Sequence, residues 1–431
     1  TGKRTMKKST AGTSLPRLAW SNLGRNKRRS IFIVISLTLC VVLLNCVGIA
    51  ADSVDIEKQV SYTIRTDYVV VNSASTNGME GFTLREQALP NDVMEAINTQ
   101  PGVTEASAVY KNTLDDANIT YGFPMKVVST EEAAETGVPF VITDMGLNFN
   151  LGADGRPICN VYGMEETALS RMDIQEGETD AHALYEQMEN GAGVLLGVQA
   201  DRSTMKIDGN LDPLEIGDVI TVYKDGKAIM ELPVLAKAAI NGDDQETGYT
   251  ANGPYTVGAD GLFLYLPSSI YEKIYDEPSI YKYSFNVDEN ERTNMTVFLE
   301  NYITQVDTSL NYLSADSARE NAQATRTMLQ FVGGLIGIIF GVAGVLNLTN
   351  TIITTILARR HEFATMQSIG MTTKQLTQMM IWEGVYYAIG ACIVGLILSM
   401  VLAFTVVRVL TGSIWYFTFH FTLLPAIIPC V

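Results

Sequence analysis

The chain has 431 residues, a mean hydropathy of +0.14, and 47% apolar against 18% charged residues, whereas soluble domains carry roughly a quarter charged. Even so, 47 acidic residues outnumber 30 basic ones, for a net charge of −17. This excludes a uniformly greasy protein, a disordered one, whose apolar content would be lower, and a nucleic-acid binder, which needs a basic face over phosphates.

The charges fall in three blocks. The first 51 residues hold nine Lys or Arg, from Lys3 to Arg29, and no acid. Residues 52–326 hold 45 acids against 17 bases, a local net of −28, and from 327 onward only Arg359, Arg360, Lys374 and Arg408 face Glu362 and Glu383. The apolar segments follow the same division, which predicts a membrane protein with one large water-facing insertion.

In chain order, 1–30 is a basic cytoplasmic segment. Ile31–Ala51 is 21 residues without a charge, about 31 Å as a helix against a bilayer core of about 30 Å. Leu43-Leu44-Asn45-Cys46 has a lipobox-like look. The apolar run is longer than a signal h-region, however, and Asn45 is bulkier than a lipobox allows, so a retained transmembrane helix is expected.

Residues 52–326 read as a mixed α/β insertion. Tyr68–Val71 suits a buried strand, Pro90–Thr99 a helix and Ala106–Tyr110 a strand. Ile216–Tyr223 and Ala228–Ala236, joined by Asp225-Gly226-Lys227, predict a hairpin. Phe263–Leu266 and Phe285–Val287 are strands, each followed by a helix. Asn241–Gly261 is a loop.

No phosphate-binding loop, nucleophile elbow or zinc-protease helix occurs, so the chain is expected not to be an enzyme and to need no cofactor. His182, His361 and His420 are too dispersed for a zinc cluster. The acidic pairs Asp115-Asp116, Glu131-Glu132 and Asp243-Asp244 have calcium-ligand chemistry, but such pairs are far more often simply solvated. Cys159 is the single cysteine of the insertion, so no disulfide forms within it.

Met328–Leu357 is a second uncharged stretch, of 30 residues, too long for one upright span, so its first turns are expected outside the membrane. It carries Gly333, Gly337 and Gly341 at i+4 spacing, a stripe that lets another helix approach closely. Packing within the chain and a seam between two copies fit that stripe equally. Ala391 and Gly395 repeat the spacing in a third span, Met379–Val407. Residues 408–422 form an external turn, and 423–431 begin a fourth span. The positive-inside rule puts the N-terminus and the loop with Arg359, Arg360 and Lys374 in the cytoplasm, and 52–326 outside the cell membrane.

Between spans two and three, 358–378, Phe363, Met366 and Ile369 recur every three residues, Gly370 fits a helix C′ position, and Thr372 with Gln375 forms a capping box. A short helix, apolar on one face and charged on the other, is expected there. Such a face can lie on the membrane or enter a groove on a partner. Glu383, at the membrane edge, calls for a paired cation, with Arg359 and Lys374 as the candidates.

These segments resemble the FtsX-like, MacB-type ABC transporter permeases. The resemblance rests on Ala19–Ser30 before span one, on Arg360-x-Glu362 through Ser368-Ile369-Gly370-Met371-Thr372 to Glu383-Gly384, and more weakly on Val161–Met164 and Leu214–Asp218. It implies a multi-pass α-helical membrane protein with a large α+β extracytoplasmic domain inserted between transmembrane helices 1 and 2. The module would have four helices, with the fourth truncated here. It implies a second copy or module as partner and a separate cytoplasmic ATPase docked on Arg360, Glu362, Phe363, Met366, Ile369 and Gly370. The expected function is to convert ATP hydrolysis into movement of the outer domain, for export or handling of peptides, lipoproteins or envelope-active compounds. The alternative is a membrane-anchored regulator of a cell-wall hydrolase, though a 275-residue outer block favours the exporter. The residues before Leu15 resemble a connector between modules, so a second half of a double-module permease is expected.

Overall fold

Lys27–Asp52 forms one unbroken helix, α2, because nothing between Ile31 and Ala51 interrupts the apolar run. A short helix, α1 (Leu15–Leu23), precedes it. The computed structural model describes residues 15–23, 27–76, 81–125, 127–128, 140–143, 147–201, 204–209, 211–241 and 261–422. The expected fourth span, the connector, and the pairs Glu131-Glu132 and Asp243-Asp244 lie outside the described residues. The chain divides into two compact units, Thr1–Asp55 with Gln323–Val431, and Ile56–Ala322.

The first unit holds α1, α2, most of α3 (Ala315–Ala358), then α4 (Arg360–Ser368), α5 (Thr373–Leu402), a π-turn at Ala403–Val407 and α6 (Arg408–Gly412). Among the described residues three helical stretches are long and apolar enough to cross a bilayer: Ile31–Asp52, Ala315–Ala358 and Thr373–Gly412. At 44 residues α3 is about 66 Å long. It begins well before Met328, and its first turns carry Asp316, Arg319, Glu320 and Arg326, residues that favour water.

The glycine stripe of α3 is used inside the chain. A methyl group on Gly333 would overlap Val47, one on Gly337 would overlap Leu44, and one on Gly341 would lie 3.4 Å from Cys40 Sγ, all on α2. The small residues of α5 meet another side of the same helix. Gly395 abuts Val41, and Thr38 Oγ1 donates to the Ala391 carbonyl at 3.3 Å. So α2 has close neighbours in both other spans. Beyond α6 the chain folds back, with Thr418 N donating to Ser53 O at 2.7 Å. Asp52 there holds Arg326 Nη2 at 2.8 Å and Thr422 Oγ1 at 3.2 Å.

The second unit is built on a mixed sheet. Its strands are β1 (Tyr68–Asn72), β2 (Val103–Lys111), β3 (Ile119–Gly122), β7 (Asn160–Met164), β8 (Asp173–Gly177), β9 (Val194–Gln199), β10 (Val219–Lys224), β11 (Lys227–Ile240), β12 (Phe263–Pro267), β13 (Ile280–Val287) and β14 (Leu310–Ser314). The order is β14-β1-β13-β2-β7-β12-β9-β11-β10-β3, with β8 on β11. Pairs β7·β12 and β9·β11 are parallel and the others antiparallel. A small separate sheet joins β4 (Val127–Val128), β5 (Phe140–Thr143) and β6 (Asn148–Asn150). The hairpin turn is the two residues Asp225-Gly226, both at positive φ, as a tight turn matched to strand twist requires.

Helices cover both faces. Asn91–Asn98 and Arg292–Gln305 bury Val93, Ile97, Met295 and Leu299 with Tyr68 and Phe285. Ala181–Glu189 packs Leu184 and Met188 against Tyr162 and Tyr265, and Ser268–Ile274 packs Ile270 and Ile274 against Val161 and Leu264.

Candidate functional site

The segment joining α3 to α5 is a helical turn fixed at both ends. Arg359 leaves helical geometry (φ −108°, ψ 17°) and separates α3 from α4. At the far end Gly370 takes φ +107°, a value a side chain disfavours, and Met371 N donates to Met366 O at 3.1 Å. Thr372 then caps α5 reciprocally, with Gln375 N donating to Thr372 Oγ1 at 3.3 Å and Thr372 N to Gln375 Oε1 at 3.0 Å.

The apolar side of α4 is filled by the chain itself. Phe363 is 6% exposed and packs with Ala19 of α1 and Met379 of α5. Met366, Leu18, Ile356, Met371, Leu376 and Met380 surround them. The Tyr386 hydroxyl donates to the Pro16 carbonyl at 3.3 Å, and Trp20 meets the Tyr386 ring edge-on at 5.2 Å. The spacing at 363, 366 and 369 predicts one apolar face on this helix, but the three side chains differ in burial: Phe363 is buried, Met366 is partly buried, and Ile369, past the helix end, is 82% exposed. The reason is α1, which brings Leu18 and Ala19 against the Phe363 side of α4.

Ion pairing fixes the charged side. Arg359 Nε lies 2.9 Å from Glu362 Oε2 and Nη1 lies 3.9 Å from Glu383 Oε1. Its guanidinium also sits 5.2 Å over the Phe363 ring. Arg359 and Glu383 side chains are 11% and 12% exposed, so the ammonium of Lys374, which is exposed, is not the partner found for Glu383. Arg360, His361, Ala364, Thr365, Gln367 and Ser368 remain on the open side of α4. These offer one cation, an imidazole, small polar groups and the Ile369 side chain next to Gly370.

Elsewhere Asp116 is committed to structure, taking Arg85 Nη2 at 2.7 Å and Thr113 N at 2.8 Å. Among the described residues no group of three or more His, Cys, Asp or Glu side chains is arranged to hold a metal.

The solved periplasmic region of MacB from Actinobacillus actinomycetemcomitans matches at 11% identity and a TM-score of 0.29, over 59% of this chain and 92% of that one. The extracellular domain of the noncanonic ABC-type transporter YknZ from Gram-positive bacteria matches at 8% identity and a TM-score of 0.27, over 57% of this chain and 98% of that one. No curated protein sequence matches. Residues 334–430, which contain the α4 turn, match the description "FtsX-like permease C-terminal". This membrane segment is thus similar to the C-terminal part of the FtsX-like permeases.

Proposed function

We propose that the chain is the membrane subunit of an ABC transporter of the FtsX/MacB type, docked through α4 on a separate cytoplasmic ATPase. The supporting observation is the build of the turn. A short helix is clamped by Arg359, Gly370 and the Thr372–Gln375 box, and it leaves Arg360, His361, Thr365 and Ile369 open. Rigid presentation lowers the ordering cost of binding. In this reading the ATPase grips the open side. The load passes inward by two routes, the buried Phe363–Met379–Ala19 contact and the Arg359–Glu383 pair, to α5 and α1.

The α1 packing brings Arg17 to the end of the unit that also holds Arg359, Arg360 and Lys374. One basic end matches the positive-inside expectation, and in the proposal this end is cytoplasmic and the inserted domain extracytoplasmic. Chain α3 is one continuous helix from Ala315 to Ala358, suited to carry displacement along its axis. The substrates proposed are peptides, lipoproteins or envelope-active compounds, moved by a pair of such modules.

The test is co-purification of a tagged permease with its ATPase, with Arg360→Glu and Ile369→Asp as docking variants. Both residues are exposed, so the variants should fold and lose the ATPase together with its stimulated hydrolysis. Retention of the ATPase by the double variant, or its absence from the wild type, would sink the docking claim.

A further inference from the structure

Three aromatic rings meet on the outside of the membrane unit, where α1 packs on α5. Trp20 meets the Tyr386 ring edge-on at 5.2 Å, and Trp382 lies 6.0 Å from the same ring at 36°. The Tyr386 hydroxyl is committed to the Pro16 carbonyl at 3.3 Å, which holds the central ring in place. The two indoles beside it are 65% and 40% exposed. Among the described residues neither indole N–H has a hydrogen-bond partner in the chain.

The cluster sits where α5 changes the chemistry of its outward side. The exposed residues before Trp382 include Lys374, Gln375 and Gln378; from there on they include Ile381, Val385 and Ile389. The other helix is held near the same level, since α1 ends at Leu23, α2 begins at Lys27, and its uncharged run starts at Ile31. Trp and Tyr favour that depth of a bilayer, where the ring stays among apolar atoms and its N–H or O–H reaches polar ones.

Charge narrows the kind of lipid. Arg17 is exposed and stands one turn before Trp20 on α1, at the i,i+3 spacing that places two side chains side by side. Among the described residues no carboxylate pairs with Arg17 or Lys374. The acids nearest in sequence to this end of α5, Glu362 and Glu383, are both held by Arg359. Arg25, Lys27, Arg28 and Arg29 fill the sequence up to Ile31, and no acid precedes Asp52. A basic run directly beside a membrane span attracts anionic headgroups.

We propose that the face formed by Arg17, Trp20 and Trp382 is a binding surface for anionic phospholipid. The acyl chains lie along the apolar side of α5 that begins at Ile381, the two indoles sit at the headgroup level, and Arg17 selects a lipid of net negative charge over a zwitterionic one. A bilayer presents its headgroups as a layer, so the three side chains act along one level and need not converge on one atom. The surface belongs to α1 and α5 and not to the open side of α4, so it stands whether or not an ATPase docks there.

The experiment reconstitutes the purified full chain, without any ATPase, in bilayers mixing phosphatidylcholine with phosphatidylglycerol. One of the two lipids carries brominated acyl chains, and quenching of tryptophan fluorescence gives their relative affinity. A Trp415→Phe background leaves Trp20 and Trp382 as the emitting indoles. Phosphatidylglycerol is expected to be preferred about fivefold or more, as one basic residue near an anionic surface provides. Arg17→Gln, at an exposed position, should lower that ratio by about fivefold, and Lys206→Gln, exposed on the inserted domain, should leave it unchanged. The Arg17→Gln difference can also be read with Trp415 in place, since that residue lies beyond α6, which covers a misfolding Trp415→Phe. Equal quenching by the two lipids, or a preference untouched by Arg17→Gln, overturns the proposal. So does quenching by aqueous iodide in place of brominated lipid, which would leave this face to a soluble partner.

Discussion

Asn45 Nδ2 donates to Ser399 Oγ across 2.9 Å, joining the first and third spans through two residues that are both fully buried. Ser399 in turn donates to the Leu396 carbonyl at 2.9 Å, so its hydroxyl serves as both donor and acceptor. In lipid such a bond carries modest energy, because separated helices find other partners. Ser399→Ala is expected to lower stability by about 0.6–1.7 kcal/mol, measured by reversible unfolding in mixed micelles. No loss would mean the pair is incidental to helix association.

The contact of α3 with α2 predicts a covalent trap. The position of a Gly341 Cβ, 3.4 Å from Cys40 Sγ, is close to the separation a disulfide needs. Gly341→Cys should therefore form an intrachain bond with native Cys40 on mild oxidation, seen as a mobility shift of the monomer on non-reducing electrophoresis. A covalent dimer in its place would return the stripe to a seam between copies. In the same helix Gly337→Val should cost about 1–3 kcal/mol by overpacking against Leu44. Gly334→Ala, with nothing within 4 Å of the added methyl, should be tolerated.

Positions 363 and 369 should separate folding from docking. Phe363→Ala removes a buried ring and is expected to destabilise the turn by about 3–5 kcal/mol, read as a lowered midpoint of thermal unfolding. Ile369→Asp, at an 82% exposed position, should shift that midpoint little, within the roughly ±0.5 kcal/mol of ordinary surface changes. Equal loss at both positions would mean that Ile369 is covered by something the single chain lacks.

The cap of α5 supplies a smaller, cleaner number. Thr372→Ala removes the oxygen that accepts from Gln375 N and should cost about 1 kcal/mol. A Thr372→Ser variant, which keeps the hydroxyl, should recover most of it.

His182 gives a pH-dependent observable in the inserted domain. Its Nδ1 lies 2.6 Å from Glu166 Oε1 and its Nε2 3.9 Å from Glu186 Oε1. The hydrogen bond to Glu166, then the charges of Glu166 and Glu186, raise its pKa above the ordinary 6.5. A raised folded value means the contribution to stability is complete below pH 6.5 and is lost as pH climbs through the folded pKa. Glu166→Gln should bring the ring titration, followed by proton NMR, back toward the ordinary value. An unchanged midpoint would show that the contact does not persist in solution.

The long elements were legible because their signal is local. Uncharged runs mark α2 and the later spans, Asp225-Gly226 marks the hairpin, and Thr372 with Gln375 marks the start of α5. Strand β9 was harder. Its core Val194-Leu195-Leu196 is apolar throughout, which fits a buried strand or a helix turn equally, and only the parallel partner β11 decides it. The burial of Phe363 depends on Ala19, distant in sequence, so spacing within α4 could identify an apolar face but not its occupant. Likewise Lys111 and Lys282 read as ordinary surface lysines, since it is the register of β2 and β13 that brings them to one ring, that of Tyr281.

The position of α2 has a consequence for how this sequence can vary. Cys40, Leu44 and Val47 meet one neighbour, while Thr38, Val41 and Asn45 meet the other, so few of its turns face lipid alone. In a saturation scan, α2 should resist enlargement at these six positions and accept it at Ile35 and Leu39, which are exposed. The outward sides of α3 and α5, with residues such as Phe331, Ile338, Ile389 and Ile397 exposed, should accept most apolar exchanges. Divergence among relatives would then concentrate on the two flanking helices and spare the one they share.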